Sequence, residues 1–351
     1  MVLGVVLVHS AVQADATQNI LWVKQAIWSL GGLVIYLVVS QIDYKKLVSH
    51  ASIFYLIAIL SLVAVLLWGA RINGARSWFK LPFMSLQPSE FSKIVMVLML
   101  SKYFSRFQER QSSLVAFLVS SILIFIPFGL IILQPDLGTA LVYLPFFLIP
   151  NFLIGNKESI WLTLLGSGLA LLIILGVVFK PGWVFFMKDY QKERIVAFIY
   201  PDRDTSNSGY QVHQSKISIG QGGLLGKGLG KGEQTSLGFL PAQYNDFILA
   251  VAAEEMGFLG IGTLFFLFLV IFLRGFITAQ ESSDATGSVL VILVIGTLFA
   301  QTLFNAAMLI GMVPTTGIPC PLVSYGGSSM LTTMGLLGLI QSVRTHRFVN
   351  H

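Results

Sequence analysis

The sequence predicts an all-α polytopic membrane protein with about ten transmembrane helices. Of its 351 residues, 55% are hydrophobic and 11% are charged, whereas a soluble domain is about 45–50% apolar and about 25% charged. Apolar runs of about 20 residues, long enough to cross a bilayer as a helix, recur throughout. The single cysteine excludes a disulfide framework. The length therefore predicts a series of spanning helices in one transmembrane domain, residues 1–351.

The apolar runs predict nine spanning helices and part of a tenth. The nine lie at 19–41, 47–69, 88–107, 113–133, 137–154, 159–179, 246–273, 286–311 and 326–343. The opening stretch, MVLGVVLVHSA, is too short to span and lacks the basic start of a signal peptide. We interpret it as the truncated end of a further helix, which would be the first of ten.

The distribution of basic residues predicts the orientation, because short cytoplasmic loops are rich in Lys and Arg. One side of the predicted membrane carries Lys45, Lys46, Lys102, Arg106, Arg110, Lys157, Arg274, Arg344 and Arg347. The short loops of the other side carry Lys24, Arg71, Arg76 and Lys80. Both termini are therefore expected in the cytoplasm, and segment 180–245, between helices 7 and 8, outside.

Segment 180–245 contains a glycine-rich stretch, IGQGGLLGKGLGKGEQTSLGF. It does not match the nucleotide-binding pattern GxxxxGK[ST], because glycine follows both Lys227 and Lys231. We interpret the stretch as a flexible outer loop. Its amides, with Lys227 or Lys231, are candidates for contact with phosphates.

A second irregular stretch, residues 311–329, lies between the last two predicted helices. It holds three prolines, four glycines and no charge. Such backbone cannot face lipid, because its amides would lack hydrogen-bond partners. We predict a re-entrant segment that lines a cavity, with Ser324 and Ser328 as candidate polar groups there.

Carboxylates in and beside the helix predicted at 246–273 are the main candidates for chemistry. Asp246 could serve only as an N-terminal cap, or it could act at the water interface. Glu254 and Glu255 follow about 12 Å deeper and on different helical faces, so they cannot share one partner. We predict a structural role for both, in a polar core that also includes Asn305.

For three other polar positions, both a structural and a functional role remain open. Glu90 and Lys93 are spaced i, i+3, which suits either a neutralising pair or the wall of a substrate cavity. Asp136 is either a turn residue and helix cap or, with Arg76, part of a site on the outer face.

Several motifs in order resemble those of the SEDS family (shape, elongation, division and sporulation), the polytopic peptidoglycan glycosyltransferases. They are GARSW, QPSEFSKI, QPDLGTALV, SGYQVHQSKISIGQGGLLGKGL, LGFLPAQYNDFILAVAAEEMGF and GIPCPLVSYGGSS. The match covers essentially the whole chain. RIVAFIYPDRD and SGYQVHQSKI resemble the elongation branch of the family more than its division branch.

The resemblance implies a ten-helix fold that polymerises lipid II into glycan strands on the outer face of the bacterial cytoplasmic membrane. It implies a class B penicillin-binding protein and other elongation-complex proteins as partners, and no nucleic acid. The family's essential aspartate falls on Asp246. Just before it, Ala242, Tyr244 and Asn245 replace the family's usual glutamate, histidine and threonine.

The chemistry implied by the resemblance needs one general base, since the donor is α-linked and the product β-1,4-linked, as in a single inverting displacement. Asp246 is the candidate base. The leaving pyrophosphate already activates the donor, so no nucleotide is expected. A divalent cation, Mg²⁺ or Mn²⁺, is expected to neutralise the pyrophosphate, and Asp246 is a possible ligand.

Two other classes of function remain open from the sequence. Ten helices with a broken segment also suit a transporter or flippase of a lipid-linked precursor. A non-enzymatic scaffold of the elongation machinery is the third possibility.

Overall fold

The computed structural model describes residues 1–13, 19–72, 75–81, 84–107, 113–153, 160–166, 194, 198, 208–240 and 243–348. The helix predicted at 159–179 is helical at 160–166, and its remainder lies outside the described residues. Most of the first half of segment 180–245 also lies outside them.

Helices dominate the described part of the chain, which confirms the predicted all-α class. They are α1 Val2–Val12, α2 Leu21–Gln41, α3 Tyr44–Ser49, α4 Ala51–Trp68, α5 Pro88–Phe107, α6 Ser113–Leu133, α7 Leu137–Leu141, α8 Leu144–Leu153, α9 Ser208–Gly222, α10 Glu233–Ser236, α11 Ile248–Gln280, α12 Ala285–Leu309 and α13 Gly327–Thr345. Among the described residues, five helices are long and apolar enough to cross a membrane: α2, α4, α6, α11 and α12. The chain is therefore a multi-pass membrane protein.

Several boundaries differ from the prediction. The run predicted as one helix at 137–154 is divided between α7 and α8. The run predicted as one helix at 47–69 is divided between two helices. Its first residues belong to α3, which Asp43 caps, and the rest forms α4. The helix predicted at 246–273 extends to Gln280.

A small antiparallel sheet follows α4, and the sequence analysis did not predict it. Its strands are β1 Ala70–Ile72, β2 Ala75–Lys80 and β3 Ser85–Leu86, in the order β1-β2-β3. The sheet pairs backbone groups that the connection between two helices would otherwise leave without partners.

The chain divides into two compact units. Unit 1 comprises Met1–Leu30, Ile174–Ile271 and Gln301–Met330, and unit 2 comprises Gly31–Ile173, Phe272–Ala300 and Leu331–His351. Unit 2 has an apolar core, with fully buried side chains that include Tyr44, Leu62, Leu100, Phe146 and Leu290. Unit 1 buries polar and charged side chains, among them Gln25, Glu254, Glu255 and Asn305.

Helix α11 is interrupted at Gly257, whose backbone angles are φ 65° and ψ −168°. The interruption leaves carbonyls before it and amides after it without helical partners. The glycine-rich stretch supplies those partners. The amides of Lys227 and Gly228 donate to the carbonyls of Glu254 and Glu255, at 3.0 and 2.9 Å.

The pairing is reciprocal on the other side of the break. The amides of Phe258 and Leu259 donate to the carbonyls of Gly223 and Leu224, at 2.9 and 3.1 Å. The stretch predicted as a flexible outer loop is therefore hydrogen-bonded along α11 within unit 1. Non-helical backbone is tolerated at membrane depth when protein groups satisfy it in this way.

Glycine is required where this stretch approaches α11 most closely. A Cβ on Gly222 would lie 1.9 Å from the carbonyl oxygen of Ala253, and one on Gly226 would lie 2.1 Å from that of Glu255. Gly220, in the same helix as Gly222, has nothing within 4 Å of the equivalent position.

We predict that Gly222→Ala destabilises the protein by about 1–3 kcal/mol, because the added methyl group forces two backbones apart. Thermal unfolding in detergent measures the change. Gly220→Ala is the matched control and is expected to be neutral or slightly stabilising, since alanine favours a helix interior. Equal stability of the two variants would contradict the close approach.

Candidate functional site

Asp246 lies in the turn that leads into α11. The carbonyl of Phe247 accepts the first helical bonds, from the amides of Ala250 and Val251. Phe247 is thus the N-cap residue, and Asp246 precedes it instead of capping the helix. Asp246 as a whole residue is partly exposed, while the Oδ1 atom of its carboxylate is buried.

The turn of Asp246 is held against the proline- and glycine-rich segment by Asn305. The Asn305 side-chain amide, which is fully buried, donates to the carbonyl oxygens of Asp246 at 2.8 Å and of Ile318 at 2.7 Å. A Cβ on Gly317, whose φ is 72°, would lie 3.3 Å from Oδ2 of Asp246. The Asp246 carboxylate therefore lies beside the backbone of the predicted re-entrant segment.

A second contact between the same two stretches involves Tyr244 and Tyr325. The amide of Tyr325 donates to the carbonyl of Tyr244 at 3.0 Å, and the two rings meet edge to face with centroids 5.8 Å apart. Tyr244 occupies the position where the family usually has histidine. Its contacts give that position a packing role in this chain.

The two candidate serines lie in the same region of unit 1. The Ser324 hydroxyl accepts a bond of 2.7 Å from the amide of Cys320, and its carbonyl accepts one of 3.0 Å from Gln25. Both Ser324 and Ser328 are buried. The bonds of Ser324 shape the turn in which it lies.

Glu254 and Glu255 have different partners, as their predicted faces required. Glu254 accepts bonds from the amides of Gln234 and Thr235, at 2.8 and 3.2 Å. Glu255 accepts a short bond from the hydroxyl of Ser10, and the same hydroxyl accepts a 3.0 Å bond from the amide of Gly230.

The ammonium group of Lys227 already has partners within the protein. Its Nζ atom donates to Oε1 of Gln221 at 2.9 Å and lies 3.2 Å from a carboxylate oxygen of Glu233. The amides of Lys227 and Gly228 are also occupied, by α11. The glycine-rich stretch is thus less available to phosphates than the sequence suggested.

The remaining candidates form a cluster within unit 2. Glu90 and Lys93 make a buried ion pair at 2.9 Å. The side-chain amide of Gln87, three residues before Glu90, donates to Oδ2 of Asp136 at 2.7 Å. Asp136 in turn caps α7 by accepting from the amide of Thr139 at 3.1 Å.

Several effects act on the Asp136 carboxyl group. Burial raises its pKa, bonds from Thr139 and Gln87 oppose the rise, and the nearby charge of Glu90 adds to it. Asp136 and Glu90 are therefore close enough to influence each other.

Arg76 joins the same cluster through its backbone, whose amide donates to the carbonyl of Gln134 at 3.3 Å. Its guanidinium donates to the carbonyl of Leu67 at 3.1 Å, at the end of α4. Unit 2 thus brings together Arg76, Glu90, Lys93 and Asp136. Asp246 belongs to unit 1.

The sequence analysis missed the amide and hydroxyl side chains that hold these acids. Gln87 and Thr139 bind Asp136, and Thr235 binds Glu254. One signal was present: a glutamine directly precedes a proline in both LQPSE and LQPDL. Both glutamine side-chain amides donate hydrogen bonds within unit 2. Gln87 donates to Asp136, and Gln134 donates to the carbonyl of Leu62 at 3.0 Å.

The described residues contain no group of three or more His, Cys, Asp or Glu side chains that could hold a metal ion. A protein-only metal site is therefore not formed within them. Mg²⁺ often binds through one or two carboxylates together with substrate phosphates and water. Asp246 stays a predicted ligand for coordination of that kind.

The helices and the broken segment define a polytopic membrane protein whose polar groups gather at helix ends and in irregular backbone. Comparison with known proteins identifies the group more closely. The chain belongs to the cell cycle protein family that comprises FtsW, RodA and SpoVE, whose family model matches residues 1–348.

Curated relatives match over nearly the whole chain. The peptidoglycan glycosyltransferase MrdB of Escherichia coli K12 is 37% identical, covering 99% of this chain and 92% of that protein. The peptidoglycan glycosyltransferase RodA of Treponema pallidum is 30% identical, with 93% and 90% covered. The predicted family membership is confirmed.

Solved structures show the same fold. A chain of a peptidoglycan synthase complex that coordinates polymerization and crosslinking has a TM-score of 0.80 and 30% identity, covering 99% of this chain and 96% of that one. The rod-shape-determining protein RodA of Thermus thermophilus has a TM-score of 0.70 and 27% identity, with 99% and 94% covered.

We predict that Glu90→Gln destabilises the protein by about 3–5 kcal/mol, because it leaves the buried ammonium of Lys93 without its counter-charge. Thermal unfolding of Glu90→Gln, Lys93→Met and the double variant measures the coupling. The double variant is expected to recover most of the loss. Strictly additive effects would mean that the two charges do not stabilise each other.

Proposed function

We propose that this chain is a peptidoglycan glycosyltransferase that joins lipid II disaccharides into β-1,4 glycan strands during cell elongation. Full-length relatives named as peptidoglycan glycosyltransferases support the activity. The observation that carries the assignment of the site is the turn of Asp246. A partly exposed aspartate lies there between a helix start and an irregular segment rich in proline and glycine, with its backbone carbonyl held by Asn305.

In this proposal Asp246 is the general base. It takes the proton of the acceptor sugar's 4-hydroxyl group while that oxygen bonds to the anomeric carbon of the donor. The bond from this carbon to the pyrophosphate oxygen breaks, and undecaprenyl pyrophosphate leaves with the electron pair. One displacement inverts the α-linked donor to a β-linked product. General-base help is worth about 10²–10⁴-fold in rate.

The rigid hold on Asp246 supports this role. Asn305 anchors the Asp246 backbone to the segment that contains Gly317, so the carboxylate can face a reactant without first being ordered. Positioning of this kind is a major source of rate enhancement, and a displacement of about 1 Å can cost about 10²-fold.

Positive charge for the leaving pyrophosphate is proposed to come from more than one source. Lys227, which lies in the same unit as Asp246, is one candidate, although its ammonium group already faces a carboxylate. Arg76 and Lys93 stay candidates from the sequence alone. A divalent cation bound to substrate phosphates would supply further charge when present. Asp246 is its candidate protein ligand.

The proposed setting is the outer face of the bacterial cytoplasmic membrane, with both termini inside. The bias of basic residues supports this orientation. A class B penicillin-binding protein and other elongation proteins are the proposed partners, because a structural relative belongs to a synthase complex that couples polymerization with crosslinking. Lipid II and the nascent glycan strand are the proposed substrates.

We predict that Asp246→Asn lowers lipid II polymerisation by at least about 10²-fold, because asparagine cannot take the proton. The test is glycan-chain synthesis from lipid II by the purified protein with its partner. Glu281→Gln, an exposed substitution, is the control. A rate for Asp246→Asn close to that of the unmodified protein would contradict the base assignment.

Vesicles reconstituted with the protein and lipid II separate the two rival functions. Movement of lipid II between leaflets without polymer would indicate a flippase. Partner binding with no polymerisation by the unmodified chain, and no effect of Asp246→Asn, would indicate a scaffold.

For the cluster in unit 2, we predict that exchanging the charges, Glu90→Lys with Lys93→Glu, lowers polymerisation more than it lowers stability. The exchange keeps an ion pair but reverses the field that a substrate would meet. Parallel rate and unfolding measurements provide the comparison. An unchanged rate would leave Glu90 and Lys93 as a structural pair.

A further inference from the structure

Glu254 is a fully buried acid that the proposed mechanism does not use. Its two carboxylate oxygens accept three hydrogen bonds: from the amide of Gln234 at 2.8 Å, from the amide of Thr235 at 3.2 Å and from the Thr235 hydroxyl at 2.9 Å. Within the described residues no Lys, Arg or His pairs with it. Its charge is therefore accommodated by backbone and hydroxyl donors.

Thr235 is connected in turn to the stretch that leads to Asp246. The side-chain amide of Gln243, three residues before Asp246, donates to the carbonyl of Thr235 at 3.2 Å and to that of Ala11 at 2.5 Å. The chain then passes Asp246 and enters α11. Eight residues later, about 12 Å along the helix, it reaches Glu254 again.

These contacts form a closed ring within unit 1, from Glu254 through Thr235 and Gln243 to Asp246 and back along α11. A helix is stiff along its axis, so the side-chain bonds of Glu254, in the second turn of α11, constrain the approach to the start of that helix. Asn305 holds the same turn through its bond to the backbone carbonyl of Asp246.

Gly232 provides independent support for this arrangement. Its backbone, with φ −67° and ψ 124°, suits any residue, so conformation does not require glycine there. A Cβ would instead lie 2.7 Å from Oε2 of Glu254 and 3.1 Å from the Thr235 hydroxyl oxygen. The absence of a side chain at Gly232 leaves room for the carboxylate.

We propose that Glu254 is a positioning residue for Asp246, acting through Thr235 and Gln243. The inference rests on the proposed role of Asp246 as the general base. Glu254 itself touches no reactant. Its function is to hold the segment before Asp246 at a fixed distance from α11, so that the carboxylate faces the acceptor hydroxyl in one geometry.

Three substitutions perturb this ring in different ways. Glu254→Gln keeps the shape of the side chain but sets its amide group against backbone donors. Gly232→Ala displaces the carboxylate without removing it. Thr235→Val removes only the bond from the hydroxyl group. Each is expected to lower the kcat of lipid II polymerisation, by about 10- to 100-fold for the first two and less for Thr235→Val. The KM for lipid II is expected to change less than about twofold.

The decisive measurement is a double-mutant cycle with Asp246→Asn. If Glu254 acts through Asp246, adding Glu254→Gln to Asp246→Asn should lower the residual rate no further. Tyr44→Phe, which removes a partly buried hydrogen bond to Asp284 in unit 2, is the control for loss of stability alone. Its kcat should remain that of the unmodified protein.

The outcomes separate the inference from the proposed function. If Asp246→Asn leaves the rate unchanged, the base assignment fails and the positioning role fails with it. If Asp246→Asn is inactive while Glu254→Gln and Gly232→Ala keep the full kcat, only the positioning role is wrong.

Should Glu254→Gln not fold, Thr235→Val decides, because it leaves both backbone bonds to Glu254 in place. A full kcat for Thr235→Val would then overturn the inference.

Discussion

The pairing of backbone hydrogen-bonding groups inside a membrane is the constraint on which unit 1 depends. An unpaired amide or carbonyl in hydrocarbon costs several kcal/mol, and α11 exposes such groups where it breaks at Gly257. The glycine-rich stretch pairs with them from both sides of the break. Its unusual composition follows from the close approach of two backbones and has no need of a bound nucleotide.

The same constraint explains the buried polar side chains around Asp246. Irregular backbone at residues 311–326 cannot bond to itself as a helix does. Asn305, Gln25 and the Ser324 hydroxyl therefore supply donors or acceptors from their side chains. These bonds fix the backbone beside Asp246, the proposed general base.

The fold was largely predictable from the sequence, because hydrophobic length alone marks membrane helices. The run at 88–107 was predicted with the bounds that α5 has. The divided run of α7 and α8 was not predicted, since its hydropathy is continuous. The small sheet also escaped prediction, because its strands are too short to show a period-two pattern.

The candidate site was predictable in part. The resemblance to a known family pointed to Asp246, and helical spacing indicated that Glu254 and Glu255 face different partners. Spacing could not reveal Gln87, Thr235 or Gln243, because each binds an acid or a carbonyl group far away in sequence or across a turn. Such long-range contacts leave no periodic signal in a single sequence.

The buried position of Cys320 has a practical consequence for labelling. A thiol reagent dissolved in water cannot reach a side chain with no exposed surface. Reporter cysteines placed on the protein's exterior would therefore be modified selectively in the native fold. The native cysteine could be kept, and with it the turn in which its amide bonds to Ser324.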